Sequence, residues 1–83
     1  MNTMQLLAKA EKIATLYEWH QRLGIHEQTL YKAKKRGTLS PALAGALAEQ
    51  IGEDVDKWII VAAIETERDS TCRDRMAAKY HVH

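Results

Sequence analysis

The chain has 83 residues, a length that allows one domain with a small hydrophobic core. Its twelve basic and eleven acidic side chains nearly cancel, and a single cysteine, Cys72, excludes an internal disulfide and a cysteine-rich zinc site. The longest apolar run, residues 58–64, is too short to cross a bilayer, and we find no secretory signal. These features predict a cytoplasmic protein without a membrane partner.

The charges are distributed unevenly along the chain. Residues 22–36 contain five basic side chains and one acidic side chain, a net charge of +4. Residues 49–69 contain seven acidic and two basic side chains, a net charge of −5. The sequence therefore predicts an electric dipole whose positive end lies around residues 22–36.

Apolar residues spaced three and four apart predict a first helix over residues 3–13, with a plain packing role. The stripe consists of Leu6, Leu7, Ala10, Ile13 and Ala14.

The next stretch predicts two short helices joined by a tight turn. Thr15 and Glu18 have the spacing of a capping box for the first of them, and Gly24 suits the positive φ of a helix end. His26 is the predicted N-cap of the second helix, over residues 27–36, with Leu30 facing inward together with Ala33. Trp19, on the apolar side of the first helix, is predicted to be a core residue, as is Trp58 further on.

Two more helices follow. Ser40 and Pro41 have the order of an N-cap and a first helical residue, Gly52 ends that helix, and Asp54 begins helix five. Helix five has more apolar residues than one side of a small core needs, so it is either buried on two sides or meets another chain. The small size of the domain favours a subunit contact, and the predicted dimer interface consists of Ile60, Val61, Ile64, Met76 and Tyr80.

The segment 68–83 is predicted to lie outside the main domain, which spans residues 1–67. Ser70 has the position of an N-cap for a sixth helix. This segment is predicted to be either an arm that packs on a partner subunit or a frayed tail.

Residues 15–37 carry a resemblance to a known family. The capping box, the turn glycine between apolar residues and the polar helix ending in basic residues and glycine resemble the helix-turn-helix of phage Cro and repressor proteins. The following segment is similar to small proteins of filamentous phages, so the resemblance covers roughly four fifths of the chain. It departs from the family at His20, where a small residue is usual, and at Ala33, where a larger one is common. It implies an all-α, five-helix, lambda-repressor-like domain in a bacterial cytoplasm.

The resemblance also implies which residues meet DNA. In this motif the second helix enters the major groove, so Gln28 is the best candidate to pair with adenine and Lys32 with guanine. A solvated basic helix end is the alternative explanation of the lysines. The other candidates are Glu27 and Thr29 near bases, His26 near a base or a phosphate, and Tyr31, Lys35, Arg36, Thr38, Thr15 and Tyr17 near phosphates.

Two functions follow as hypotheses. The first is a sequence-specific transcriptional regulator that binds a palindromic operator in double-stranded DNA as a homodimer. The alternative is a protein-binding adaptor or antirepressor that uses the acidic second half of the same scaffold. The sequence has no phosphate loop, nucleophile elbow or paired metal-ligand motif, so we expect no enzyme activity, metal, cofactor or small-molecule substrate.

Overall fold

Six α-helices and no strand make up the chain in a computed structural model that describes all 83 residues. The all-α prediction is confirmed, and the sixth helix is present. Helix α1 ends two residues before its predicted end, so the prediction that Ile13 packs inward is wrong: its side chain is 59% exposed. The helices are α1 (Thr3–Glu11), α2 (Leu16–Leu23), α3 (Glu27–Arg36), α4 (Pro41–Ile51), α5 (Val55–Thr66) and α6 (Thr71–Tyr80).

Local capping explains where the helices begin and end. Each helix starts at a side chain that accepts a hydrogen bond from the first turn, and the predicted caps at Thr15, His26 and Ser70 are confirmed. Gly24 has φ of 68°, and the amides of Gly24 and Ile25 donate to carbonyls of the last turn of α2. This Schellman arrangement needs a residue that tolerates the left-handed region, so the predicted role of Gly24 is confirmed.

The core lies mainly between α1, α4 and α5, and it also includes buried residues of α2, α3 and α6. Trp19 and Trp58 are both buried in it, as predicted. Helices α4 and α5 approach closely because residue 45 is glycine: a β-carbon there would lie 2.8 Å from Cγ1 of Ile59. Ala46 of α4 and Ala63 of α5, in contrast, are exposed.

The predicted dimer interface needs correction at two residues. Val61 is fully buried and Ile64 is 8% exposed, because α1, α4 and α6 all pack against α5 within the same chain. The apolar surplus of α5 is therefore explained by burial on two sides. Ile60 and Tyr80 are half-buried and line one shallow groove, and Met76 remains 41% exposed.

Residues 68–83 are neither an arm nor a frayed tail. Ala77 and Val82 are buried in the core, and the backbone N–H of His83 donates to the carbonyl of Met1 over 2.9 Å. The predicted boundary after residue 67 thus does not separate two structural units. None of the six helices has the length and hydrophobicity needed to span a bilayer.

A buried hydroxyl connects three parts of the fold. Thr3 is fully buried; its hydroxyl donates to the carboxylate of Glu65 on α5 and accepts from the backbone N–H of Leu39 over 3.0 Å. The same carboxylate accepts from the backbone N–H of Thr3, at 3.1 and 3.2 Å to its two oxygens. This network fixes the start of α1 to α5 and to the linker that follows α3.

We predict that Thr3→Val lowers the free energy of unfolding by about 2–3 kcal/mol, because the buried Leu39 N–H would lose its only acceptor. Thr3→Ser is the matched control; it keeps the hydroxyl and should cost only about 1 kcal/mol for the lost methyl group. Urea unfolding followed by circular dichroism measures both. Equal destabilisation by the two variants would show that the hydroxyl contributes nothing.

A second contact joins the start of α5 to α1. The indole of Trp58 donates to Glu53 over 3.2 Å, and Lys9 pairs with the same carboxylate at 3.4 Å. The indole hydrogen bond, supported by Lys9, lowers the pKa of Glu53 below its usual value. Because the pKa of Glu53 is lower in the folded state than in the unfolded state, the contact stabilises the fold fully at pH values above the usual glutamate pKa. This stabilisation is lost as the pH falls through the lowered pKa.

Candidate nucleic-acid interface

Helices α2 and α3 form a unit that is anchored to α1 through Trp19. The ring of Trp19 is 1% exposed, and its indole N–H donates to the carbonyl of Ala10 over 2.7 Å. Leu30 and Ala33, on the inner side of α3, are both fully buried, as predicted. Because these two residues fix which side of α3 faces the core, they also fix which side faces solvent.

The solvent side of α3 bears four side chains that we call the outward face: Gln28, Tyr31, Lys32 and Lys35. Their spacing of three and four residues places them in one stripe, and all four are exposed. Neither lysine is paired with an acidic side chain. The outward face therefore presents one amide, one phenol and two uncompensated ammonium groups to solvent.

Lys34 lies on the flank of α3 and has a different environment. Its ammonium group pairs with Glu11 at the end of α1, at 3.1 Å. The pair leaves Lys34 with a neighbouring negative charge, unlike the two lysines of the outward face. Glu27, also exposed, occupies the first turn of α3, where the helix dipole favours a carboxylate.

Arg36 and Thr38 are brought together at the far end of α3. The guanidinium donates from Nε to the Thr38 hydroxyl over 3.3 Å and from Nη2 to its carbonyl over 3.1 Å. Both residues therefore stay next to each other where α3 ends. Thr29 lies apart from this group, because it lines a groove between the α2–α3 turn and α4.

Two histidines flank the α2–α3 turn. His26 is exposed, and its Nδ1 accepts a hydrogen bond from the backbone N–H of Gln28 over 3.1 Å. His20 is half-buried, and its Nδ1 lies 3.3 Å from the carbonyl oxygen of Ile25. His20 thus contacts the turn itself.

The start of α2 uses its polar groups partly within the chain. The Thr15 hydroxyl accepts from the backbone N–H of Glu18 over 3.1 Å, and the Glu18 carboxylate reaches back to the Thr15 N–H, at 3.5 Å. Tyr17 is 54% exposed and stands edge-on to His20, with ring centroids 4.8 Å apart. Both residues at this end of α2 are predicted phosphate contacts. The Tyr17 side chain is exposed to solvent, whereas the Thr15 hydroxyl is already hydrogen-bonded within the capping box.

Comparison with protein-family models, with curated protein sequences and with solved structures finds no match to this chain. The geometry of the α2–α3 unit is therefore the basis for any functional assignment. Sequence reasoning missed the contacts that hold α3 in place from outside the unit, namely the Lys34–Glu11 pair and the Leu39–Thr3 hydrogen bond. Both join residues far apart in sequence, and no local pattern marks them.

Proposed function

We propose that the chain is a sequence-specific DNA-binding regulator of transcription in which α2 and α3 act as a helix-turn-helix and α3 is the recognition helix. The outward face of α3 is the observation that supports this proposal. Its Gln28, Lys32 and Lys35 side chains form one exposed stripe, and neither lysine forms an ion pair with an acidic side chain. An amide and ammonium groups are the donors that read base edges in the major groove.

The proposed contacts differ along the recognition helix. Gln28, in the first turn, would read a base, and Lys32, one turn later, would reach guanine. Lys35 and Arg36 lie towards the other end of the helix, where they would bind phosphates and set the register without specifying sequence. The acidic residues 49–69 would be repelled by phosphates, which orients the protein on the duplex.

Recognition of a palindromic operator requires two copies, because one recognition helix contacts too few base pairs for useful specificity. We propose that the pairing surface consists of Ile59, Ala63 and Met76. Ile59 is 37% exposed and Met76 is 41% exposed, and both are large apolar side chains outside the α2–α3 unit. Ala63 connects them, since it follows Ile59 by one turn and lines a groove together with Met76.

We predict that the double variant Ile59→Glu, Met76→Glu is monomeric, because two carboxylates on each copy would be buried without partners in the pairing surface. Sedimentation velocity measures the assembly state. The control is Ile13→Glu, which changes a more exposed apolar residue, two residues beyond the end of α1, and should leave the dimer intact. A double variant that still sediments as a dimer would refute this surface.

The experiment that tests the function is selection of bound sequences from random duplex DNA, followed by titration of the selected site at several salt concentrations. We expect the selected sequences to share a palindromic consensus. The logarithm of the affinity should fall linearly with the logarithm of the salt concentration, with a slope that corresponds to several phosphate contacts per copy. Binding without sequence preference, or no binding at modest salt, would refute this function and favour an adaptor that binds another protein.

A further inference from the structure

We infer that His26 is a positioning residue whose neutral imidazole holds the first turn of α3, so that presentation of Gln28 depends on pH. The capping role stands on the geometry of the turn alone. Its consequence for DNA binding rests on the proposed function, because disorder in the first turn of α3 weakens DNA binding only if α3 contacts DNA.

The hydrogen bond at the start of α3 fixes the protonation state of the ring. A backbone N–H can only donate, so the Nδ1 atom that lies 3.1 Å from the Gln28 nitrogen must be the acceptor and carry no proton. The proton of the neutral ring is then on Nε2. His26 replaces the usual serine, threonine or aspartate cap by a group that loses its acceptor when it gains a proton.

Protonation would act on the helix in two ways. An N–H group at Nδ1 would face the Gln28 N–H, and two donors cannot form a hydrogen bond. The added positive charge would also lie at the N-terminus of α3, where the helix dipole opposes it. Acidification would therefore weaken the cap, because histidine is the side chain whose charge ordinarily changes closest to neutral pH.

None of the other ionisable groups around the turn forms an ion pair with His26. On α3 the neighbour is Glu27. Towards α4 the groove beside the turn is lined without an ionisable side chain. His20 on α2 must donate from Nδ1 to the Ile25 carbonyl, which leaves a buried Nε2 without a partner. The remaining ionisable side chains of α2 are Tyr17, Glu18 and Arg22.

A direct phosphate contact by His26 would have the opposite pH dependence. A protonated imidazole attracts phosphate, so such a contact would strengthen DNA binding as the pH falls. A cap that fails on protonation would weaken it. The sign of the pH effect therefore separates a positioning role from a DNA-contacting role.

Two variants isolate the cap. His26→Asn keeps a capping acceptor that does not titrate, and His26→Ala removes the acceptor. In the free protein, nitrogen NMR should show the His26 proton on Nε2 at neutral pH. The protection factor of the Gln28 amide should fall about fivefold between about pH 7.5 and pH 5.5 in the wild type, stay constant in His26→Asn and be low throughout in His26→Ala. Equal protection in all three proteins, or a proton on Nδ1, would overturn the inference.

The DNA measurement uses the same proteins on the selected duplex. Over the same pH range we expect the wild type to lose about fivefold more DNA affinity than His26→Asn, which corresponds to the loss of one N-cap. Any contribution of His20 cancels in this comparison, because both proteins contain it. Tighter binding of the wild type at the lower pH would overturn the inference. If neither protein bound DNA, the proposed function would fail while the amide measurement still decided the role of His26.

Discussion

The double variant Lys32→Ala, Lys35→Ala should bind the selected operator about 30- to 1,000-fold more weakly than the wild type. This range follows because the free energies of one base contact and one phosphate contact are lost together. Both ammonium groups belong to the outward face of α3 and lack ion-pair partners, so their full charge is available to DNA. The plot of log affinity against log salt should also become shallower by about one phosphate equivalent, for the lost Lys35 contact. Fluorescence titration at several salt concentrations measures both quantities.

The matched control for this variant is Lys57→Ala with Lys79→Ala, which removes the same charge from the α5–α6 side of the molecule. If binding depended only on net charge, the two double variants would weaken it equally. A local interface predicts that the control binds nearly as tightly as the wild type. Equal losses in the two variants would therefore contradict the assignment of the outward face.

Trp19→Ala should lower the free energy of unfolding by about 3–5 kcal/mol, the usual cost of removing a large buried aromatic side chain. A domain of this size has a total stability of only about 4–12 kcal/mol, so the variant should be largely or wholly unfolded well below the melting temperature of the wild type. The substitution also leaves the Ala10 carbonyl without the indole that now donates to it over 2.7 Å. Thermal and urea unfolding followed by circular dichroism measure the loss.

Tyr17→Ala provides the comparison for Trp19→Ala, since it removes an aromatic ring from the same helix at a site that is 54% exposed. We expect a change of about 0.5 kcal/mol or less, as for most surface substitutions. If both variants were destabilised to the same extent, loss of aromatic residues from α2 in general, and not loss of the buried ring, would explain the effect.

Local features of this fold could be predicted from the sequence because their causes are local. The bounds of α3, the capping box at Thr15 and the turn at Gly24 each depend on residues within one or two helical turns, and all three predictions are confirmed. The exposure of Gln28 and Lys32 followed from the same reasoning, because the buried Leu30 fixes the orientation of the helix. The exposed side chains of the proposed site can thus largely be predicted from the sequence.

Long-range features could not be predicted in this way. Val61 and Ile64 were assigned to a subunit contact because their apolar character is visible in the sequence, whereas the position of α6 against α5 is not. The prediction that these side chains are buried is correct, but residues of their own chain cover them, and not a second subunit. The Thr3–Glu65 contact spans 62 residues and has no sequence signature at all.

The Thr3 hydroxyl has a genetic consequence, because it joins the start of α1 to Leu39, three residues beyond the end of α3. A substitution at this site would loosen the contacts behind α3 without changing any residue of the proposed DNA-binding surface. Screens for conditional alleles should therefore recover changes at Thr3 and Glu65 that regulate normally in the cold and fail at elevated temperature.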